Sequence, residues 1–362
     1  MKTIVHVIGA RPNYMKIAPL MEALRTGSGF RQVLVNTGQH YDDMMSRAFV
    51  RDLALPTPDY DLEVGSASHA VQTARVMIEF ERVCNAERPD LVVVVGDVNS
   101  TLAASLVAAK LLIPVAHVEA GLRSRDRTMP EEINRIVTDR LSDVLLTPSV
   151  DGNENLLAEG VPKEKIHLVG NIMIDSLQRH LPMATLDRVR DAIPVEEGRY
   201  AVLTLHRPSN VDDVEIFRRI LTAVGAIAES LPVVFPVHPR TRQRMRDFGV
   251  DGALGRVILT DPLGYIDFLS LTSHARLILT DSGGLQEEST ALGVPCLTLR
   301  EGTERPITVT RGTNQVVGTS TEAILAGFRR AMVPAGPPVR PELWDGRTAE
   351  RITRILCRFL SN

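Results

Sequence analysis

The feature that most restricts the fold of this chain is an alternation that runs almost its full length. Short apolar runs give way to stretches whose apolar residues lie three and four apart, and then return. The runs at 3–9, 32–37, 91–96, 115–119, 144–147 and 166–169 read as strands. Between them, Ile17, Leu20, Met21 and Leu24 mark a helix after Pro12, with Pro19 expected to kink it. Asn99 or Ser100 can cap a helix carrying Leu102, Leu106 and Ala109, and Glu131 opens one carrying Ile133, Val137 and Leu141. The pattern restarts with strands expected at 200–205, 233–237, 256–259, 276–280 and 296–299. Strands alternating with helices in this manner call for parallel sheets joined by right-handed crossovers.

Two such runs in 362 residues predict an α/β chain of two Rossmann-like domains, twin doubly wound parallel sheets facing across a cleft. The expected first domain is 1–170 together with a C-terminal helix at 347–362, and the second is 171–346. That last helix carries Ile352, Ile355, Leu356 and Phe359 and follows a Pro-rich loop holding the only Trp, Trp344. Ligands of open α/β sheets lie beyond the carboxyl ends of the strands, so the cleft is the expected site.

Composition removes several function classes. A net charge of −3, with Lys and Arg dispersed, offers no surface for nucleic acid or membrane. The longest apolar region, 102–116, is broken by Lys110 and Pro114, so no membrane span is expected. Cys84, Cys296 and Cys357 are far apart and read as buried, reduced thiols of a cytoplasmic protein, and the first residues lack signal-peptide architecture. The nine His and the carboxylates show no ligand spacing, so no metal is expected. No nucleophile elbow appears.

Chemistry is written most densely at RLILTDSGGLQEE, residues 276–288. A strand ends at a turn of Asp281, Ser282, Gly283 and Gly284, and a helix begins. Adjacent glycines admit close approach to a ligand, and free first-turn amides attract an anion. Glu287 and Glu288 repel phosphate yet accept from sugar hydroxyls, which suits a nucleotide with its diphosphate on the turn and its ribose on a glutamate. A plain strand–turn–helix joint with a capping Ser or Asp would read similarly. Other polar residues also follow strands. Arg11 comes after a glycine turn at a helix start, and Lys16 lies one turn on; both could bind an anion or be solvated cations. Asp97 and Glu119 end strands, either as helix caps or as site residues. Helix-dipole complementarity accounts for Glu131 and Glu132. His206 beside Arg207 could face a phosphate or donate a proton, while His238 beside Arg240 reads as an ordinary hydrogen-bonded residue.

In order along 9–318 stand GARPNYMKIAPL, TGQHYDDMM, GDVNSTLAASLVAAKLLIPVAHVEAGLRS, MPEEINRIVTDRLSD, GNIMIDSL, LTLHRPSN, PVHPRT and DSGGLQEESTALGVPCLTLREGTERPITVTRGTNQVVG. Together these segments resemble the non-hydrolysing UDP-N-acetylglucosamine 2-epimerases. The resemblance implies twin Rossmann-like domains of the type many nucleotide-sugar glycosyltransferases share, a cytoplasmic homodimer, a UDP-sugar as ligand and no cofactor. Carried over by position, it implies that Arg11, Lys16 and His206 surround the diphosphate and sugar. Ser282, Gly283 and Gly284 would form the diphosphate turn, Glu288 would take the ribose, and the backbone of Phe268 would meet uracil. Asp97, Glu119 and Glu131 would be the catalytic carboxylates, with His206 beside them.

Two departures bear on the substrate. Asn13 and Tyr14 stand where the best-known bacterial members read Glu-Ala, and a GARPN opening is similar to relatives acting on 2,3-diacetamido uronic acid nucleotides. TGQHYD, with Tyr41, replaces the TAQHR type associated with allosteric control. The implied reaction is loss of UDP to give 2-acetamidoglucal, then re-addition with the opposite configuration at carbon 2. A hydrolysing epimerase, a glycosyltransferase and a non-catalytic sensor share the fold and stand as alternatives.

Overall fold

In a computed structural model of the chain, the described residues are 1–27, 29–39, 57–333, 336 and 339–361. The TGQHYD segment from His40 on, Tyr41 included, and most of the Pro-rich stretch at 334–338 lie outside them. The chain divides into two compact units, Met1–Gln178 with Glu342–Asn362, and Arg179–Pro341.

The first unit holds β1 (Thr3–Ile8), β2 (Arg31–Asn36), β3 (Tyr60–Asp61), β4 (Leu91–Val95), β5 (Val115–Val118), β6 (Val144–Thr147) and β7 (Ile166–Leu168). They form one parallel sheet in the order β3-β2-β1-β4-β5-β6-β7. β1, β4, β5 and β6 are buried along their whole length, as a parallel sheet covered on both faces requires. One core layer packs Val5, Val7, Val33, Val92 and Val94 against Phe80 and Val83 of the helix His69–Glu87 and Ala104 and Val107 of the helix Asn99–Lys110. The helix Arg11–Gly27 runs with Pro19 inside it and packs on the C-terminal helix Thr348–Ser361.

In the second unit, β8 (Ala201–Thr204), β9 (Val233–Pro236), β10 (Ile258–Thr260), β11 (Leu277–Thr280), β12 (Cys296–Thr298) and β13 (Asn314–Val316) form a parallel sheet in the order β10-β9-β8-β11-β12-β13. The amphipathic helix Val214–Ala228, capped by the Asp213 carboxylate, lays Phe217, Ile220, Leu221 and Val224 on one face of it. Strand order reverses between β1 and β4 in one unit and between β8 and β11 in the other. Each unit therefore has its own topological switch point, where parallel sheets bind ligands. Cys84 and Cys296 are buried, but Cys357 is only half-buried, because the last helix turns that position toward its margin. Among the described residues no helix is long and apolar enough to cross a membrane.

Candidate active site

Beyond β1 the chain turns sharply, and Asn13 makes the turn. Its Oδ1 accepts from the amides of Gly9 (3.1 Å) and Ala10 (2.9 Å), while its Nδ2 donates to the carbonyl of Val95 at the end of β4 (3.0 Å). A side chain at Gly9 would collide with the hydroxyls of Ser100 and Thr37, which are bonded to each other at 2.7 Å. Arg11 opens the following helix; its side chain lies outside the description. Lys16 is buried rather than solvated, and its ammonium is ion-paired with Glu119.

Glu119 ends β5 with φ +74°, a left-handed conformation that costs a non-glycine residue about 1–3 kcal/mol and recurs at working sites. Its amide donates to the carbonyl of Leu146 on β6 (3.0 Å), which fixes the bend. Asp97, just past β4, is ion-paired with Arg135 and keeps part of its side chain exposed. Arg135 is fully buried and is also held by Glu132 through Nε (3.0 Å) and Nη2 (2.8 Å). Glu132 in turn accepts from the amides of Ser124 and Arg125, both at 2.9 Å. Glu132 thus serves as an internal brace. Its neighbour Glu131 is half-buried in the first turn of the helix Pro130–Leu141.

A second buried network lies behind these carboxylates. His117 on β5 donates Nε2–H to the carbonyl of Gly96 (2.8 Å) and meets Asp139 through Nδ1 (2.6 Å). Asp139 also pairs with Arg123 (2.7 Å), which forks onto Glu159. Burial pushes the Asp139 carboxyl up, but His117 and Arg123 outweigh it and the net shift is downward. His117 and Arg123 both lie in HVEAGLRS, where polar side chains set among apolar ones were the available signal.

At the other switch point, β8 leads into His206 and β11 into Asp281. The buried Asp281 carboxylate accepts from the amides of His206 (3.0 Å) and Arg207 (2.9 Å) and from Nδ2 of Asn210 (3.2 Å). It also holds Nδ1 of the His206 ring at 2.9 Å. Burial raises the Asp281 carboxyl, but the bonds from His206 and Arg207 bring it below the usual carboxylate range.

Ser282 precedes the helix Gly283–Leu292, donating its amide to the Thr280 hydroxyl (2.9 Å). Its own hydroxyl does not cap that helix, so the first-turn amides remain for other acceptors. Gly283 is fixed by packing: a Cβ there would strike the guanidinium of Arg305 and the carboxylate of Glu304. A Cβ on Gly284 would meet no described atom within 4 Å.

The two glutamates of the motif separate in role. Glu287 is ion-paired with Arg305 (2.8 Å), whereas the buried Glu288 adds to burial in raising the Tyr265 hydroxyl well above its usual value. Glu304 is ringed by Arg305 (2.6 Å), Arg300 (2.9 Å) and Arg207 (3.6 Å). Arg207, Arg300 and Arg305 thus sit beside the glycine turn, held there by Glu304 and Glu287. The Phe268 ring packs half-buried on the core, and its amide donates to the Gly264 carbonyl (2.8 Å). His238 caps the helix Pro239–Phe248, with Nδ1 accepting from the Arg240 amide at 3.3 Å. Among the described residues no three His, Cys, Asp or Glu side chains cluster in a way that could hold a metal ion.

Two doubly wound parallel units, each gathering its polar side chains at a switch point, place the chain in the class of twin Rossmann-like, GT-B-type proteins. A family model described as UDP-N-acetylglucosamine 2-epimerase matches residues 22–357. The chain belongs to the UDP-N-acetylglucosamine 2-epimerase family. It is 42% identical to the UDP-N-acetylglucosamine 2-epimerase of Methanocaldococcus jannaschii, with 97% of each chain aligned. It is 40% identical to the UDP-2,3-diacetamido-2,3-dideoxy-D-glucuronate 2-epimerase of Pseudomonas aeruginosa over 98% of this chain and 99% of that one. The fold is similar, with a TM-score of 0.90 at 41% identity, to the crystal structure of the M. jannaschii enzyme in complex with UDP-GlcNAc and UDP, over 99% of this chain and 100% of that one.

Proposed function

We propose that the protein interconverts UDP-N-acetylglucosamine and UDP-N-acetylmannosamine by eliminating UDP to 2-acetamidoglucal and adding it back, without hydrolysis, as a cytoplasmic homodimer. The observation that carries this reading is the difference in what the two switch points gather. One gathers carboxylates, Asp97 and Glu119, each against a buried cation. The other gathers donors suited to an anion, the glycine turn, His206, Arg207 and Arg305, positioned by the carboxylates of Asp281, Glu287 and Glu304.

The chemistry needs both sets. Carbon 2 of the sugar has no adjacent carbonyl to stabilise a carbanion, so its proton is removable only once the bond from carbon 1 to the diphosphate oxygen breaks and the ring gains oxocarbenium character. The bonding pair leaves with UDP, and the carbon 2 proton passes to a carboxylate. Return of a proton to the other face, with re-addition of UDP, completes the exchange, so the balance requires no oxidant and no metal. Asp97, Glu119 and Glu131 are the proton-transfer groups in this reading. Arg11, His206 and the Ser282–Gly284 turn stabilise the leaving diphosphate, Lys16 sets the charge of Glu119, Glu288 takes the ribose and the Phe268 segment the uracil.

The similarity to the Pseudomonas aeruginosa relative, together with Asn13 in the first turn, favours UDP-2,3-diacetamido uronic acid as the second substrate to try. The deciding experiment is proton NMR of the protein with UDP-GlcNAc in deuterated water. UDP-ManNAc carrying deuterium at carbon 2 is the expected product. Free ManNAc would establish hydrolysis instead, and no change with a UDP-binding protein would transfer the test to the diacetamido uronic acid nucleotide.

A further inference from the structure

We infer that Asp281 is a positioning residue for His206: it fixes a proton on Nδ1 and thereby commits Nε2 to the diphosphate. This deepens the reading above and rests on His206 being a diphosphate partner.

The argument is geometric. β8 and β11 are adjacent strands, so the residues that follow them emerge side by side. Asp281 is wholly buried, yet its two oxygens receive four donors, three of which are the amides of His206 and Arg207 and the Asn210 side chain. Asn210 is itself anchored to the Leu299 carbonyl (2.9 Å), so the cradle is rigid. Those three bonds would already tie the two turns together. The fourth, to Nδ1 at 2.9 Å, instead restrains a ring that is 52% exposed. A carboxylate with this many donors can only accept, so Nδ1 must carry hydrogen. Nε2 is then the nitrogen available to a ligand, and its orientation is set by a group that does not touch that ligand.

The consequence for the reaction follows directly. As the bond from carbon 1 to oxygen breaks, the protonated ring can pass its Nε2 hydrogen to the departing diphosphate oxygen and remain neutral with Nδ1–H on Asp281. On re-addition the proton returns to Nε2. Asp281 stays ionised throughout and neither gains nor loses a proton. The pairing is the one that orients a catalytic imidazole in serine hydrolases, here applied to a phosphate leaving group.

The test uses the full chain labelled with 15N-histidine, in wild type, D281N, H206N and the double variant. Ring 15N shifts of the wild-type protein should show the neutral His206 ring protonated at Nδ1, and D281N should move the hydrogen to Nε2. The turnover number for the epimerised nucleotide sugar should fall about 10²-fold or more in D281N, with UDP affinity changed less than about threefold. The double variant should lose no more than H206N alone. A wild-type neutral ring protonated at Nε2 overturns the inference, and so does a double variant slower than H206N, which would make Asp281 a structural clamp. The wild-type shift measurement keeps the question decidable should D281N misfold. It also needs no turnover, so failure of the epimerase reading and failure of this inference are told apart.

Discussion

Glu119 is the residue on which most of the first unit's site converges. Its backbone is left-handed, its carboxylate is buried and Lys16 neutralises it. Removing one partner of such a pair leaves a charge in low dielectric and costs about 3–5 kcal/mol, whereas removing both charges costs far less. Lys16→Met should therefore lower the urea midpoint sharply, and Lys16→Met with Glu119→Gln should recover much of the loss; a single variant as stable as wild type would refute the pairing. Catalysis separates from stability at the same positions. Asp97→Asn, Glu119→Gln and Glu131→Gln should each depress turnover about a hundredfold or more while UDP binding, read by calorimetry, changes little. Wild-type turnover in any of them removes that residue from the proton-transfer set. The carboxylates were legible because each ends an apolar run or opens a helix. Their pairing with cations was not: Lys16 lies 103 residues from Glu119 and Arg135 lies 38 from Asp97, and no local pattern reveals partners so far apart. The same blindness hid the ring of Arg207, Arg300 and Arg305 about Glu304 and the hold of Asp281 on His206.

At the scale of elements, the strands were legible wherever the sheet is covered on both faces, since such strands read as unbroken apolar runs. The two that escaped, β3 and β13, are the edge strands at opposite ends of their sheets. Tyr60–Asp61 and Asn314–Val316 are too short and too polar to stand out. The motif GNIMIDSL also acquires a physical role. Asp175 within it accepts from the amides of Thr348 (3.1 Å) and Ala349 (2.7 Å), capping the C-terminal helix from a distant part of the chain. Burial raises its carboxyl above the usual value, and the two helix amides only partly offset that. The approach to this helix is further held by Trp344 Nε1 on the Pro148 carbonyl (2.9 Å) and by Arg351 on the carbonyl of Val169 (3.1 Å). Loss of an N-cap costs about 1–2 kcal/mol. Asp175→Ala should cost that much in urea unfolding and expose the C-terminal helix to proteases first, with Asp175→Asn intermediate. Cleavage that begins elsewhere at an unchanged rate would show that the cap contributes little.

Across the whole molecule, buried titratable groups are held in two ways, by burial alone or by opposite charge, and acid should distinguish them. His6 on β1 donates from Nε2 to Gln32 Oε1 (3.0 Å), while its Nδ1 has no hydrogen-bond partner among the described residues. Burial lowers its pKa to about 4 against the upward pull of Gln32. Below the unfolded value of 6.5 the unfolded chain takes a proton that the folded one refuses until about 4, so stability falls as pH drops through that window. The full effect is about 3 kcal/mol. His167, lowered by burial, acts in the same sense, and Asp175, raised by burial, in the opposite one. In the second unit, burial pushes Glu304 up, but Arg305, Arg300 and Arg207 bring it down to about 2. Its contribution is complete above 4.5 and is lost as pH falls from there to about 2, so it does not change between pH 7.5 and 5. The only Trp, Trp344, is buried in the first unit and so reports that unit alone. Urea unfolding followed by Trp fluorescence should therefore show a lower midpoint at pH 5 than at pH 7.5, and His6→Gln should remove most of the difference. Because Asp175 opposes the trend, the comparison of His6→Gln with wild type decides the matter: an equal drop in both proteins would mean that the imidazole buried under β1 does not set the acid response.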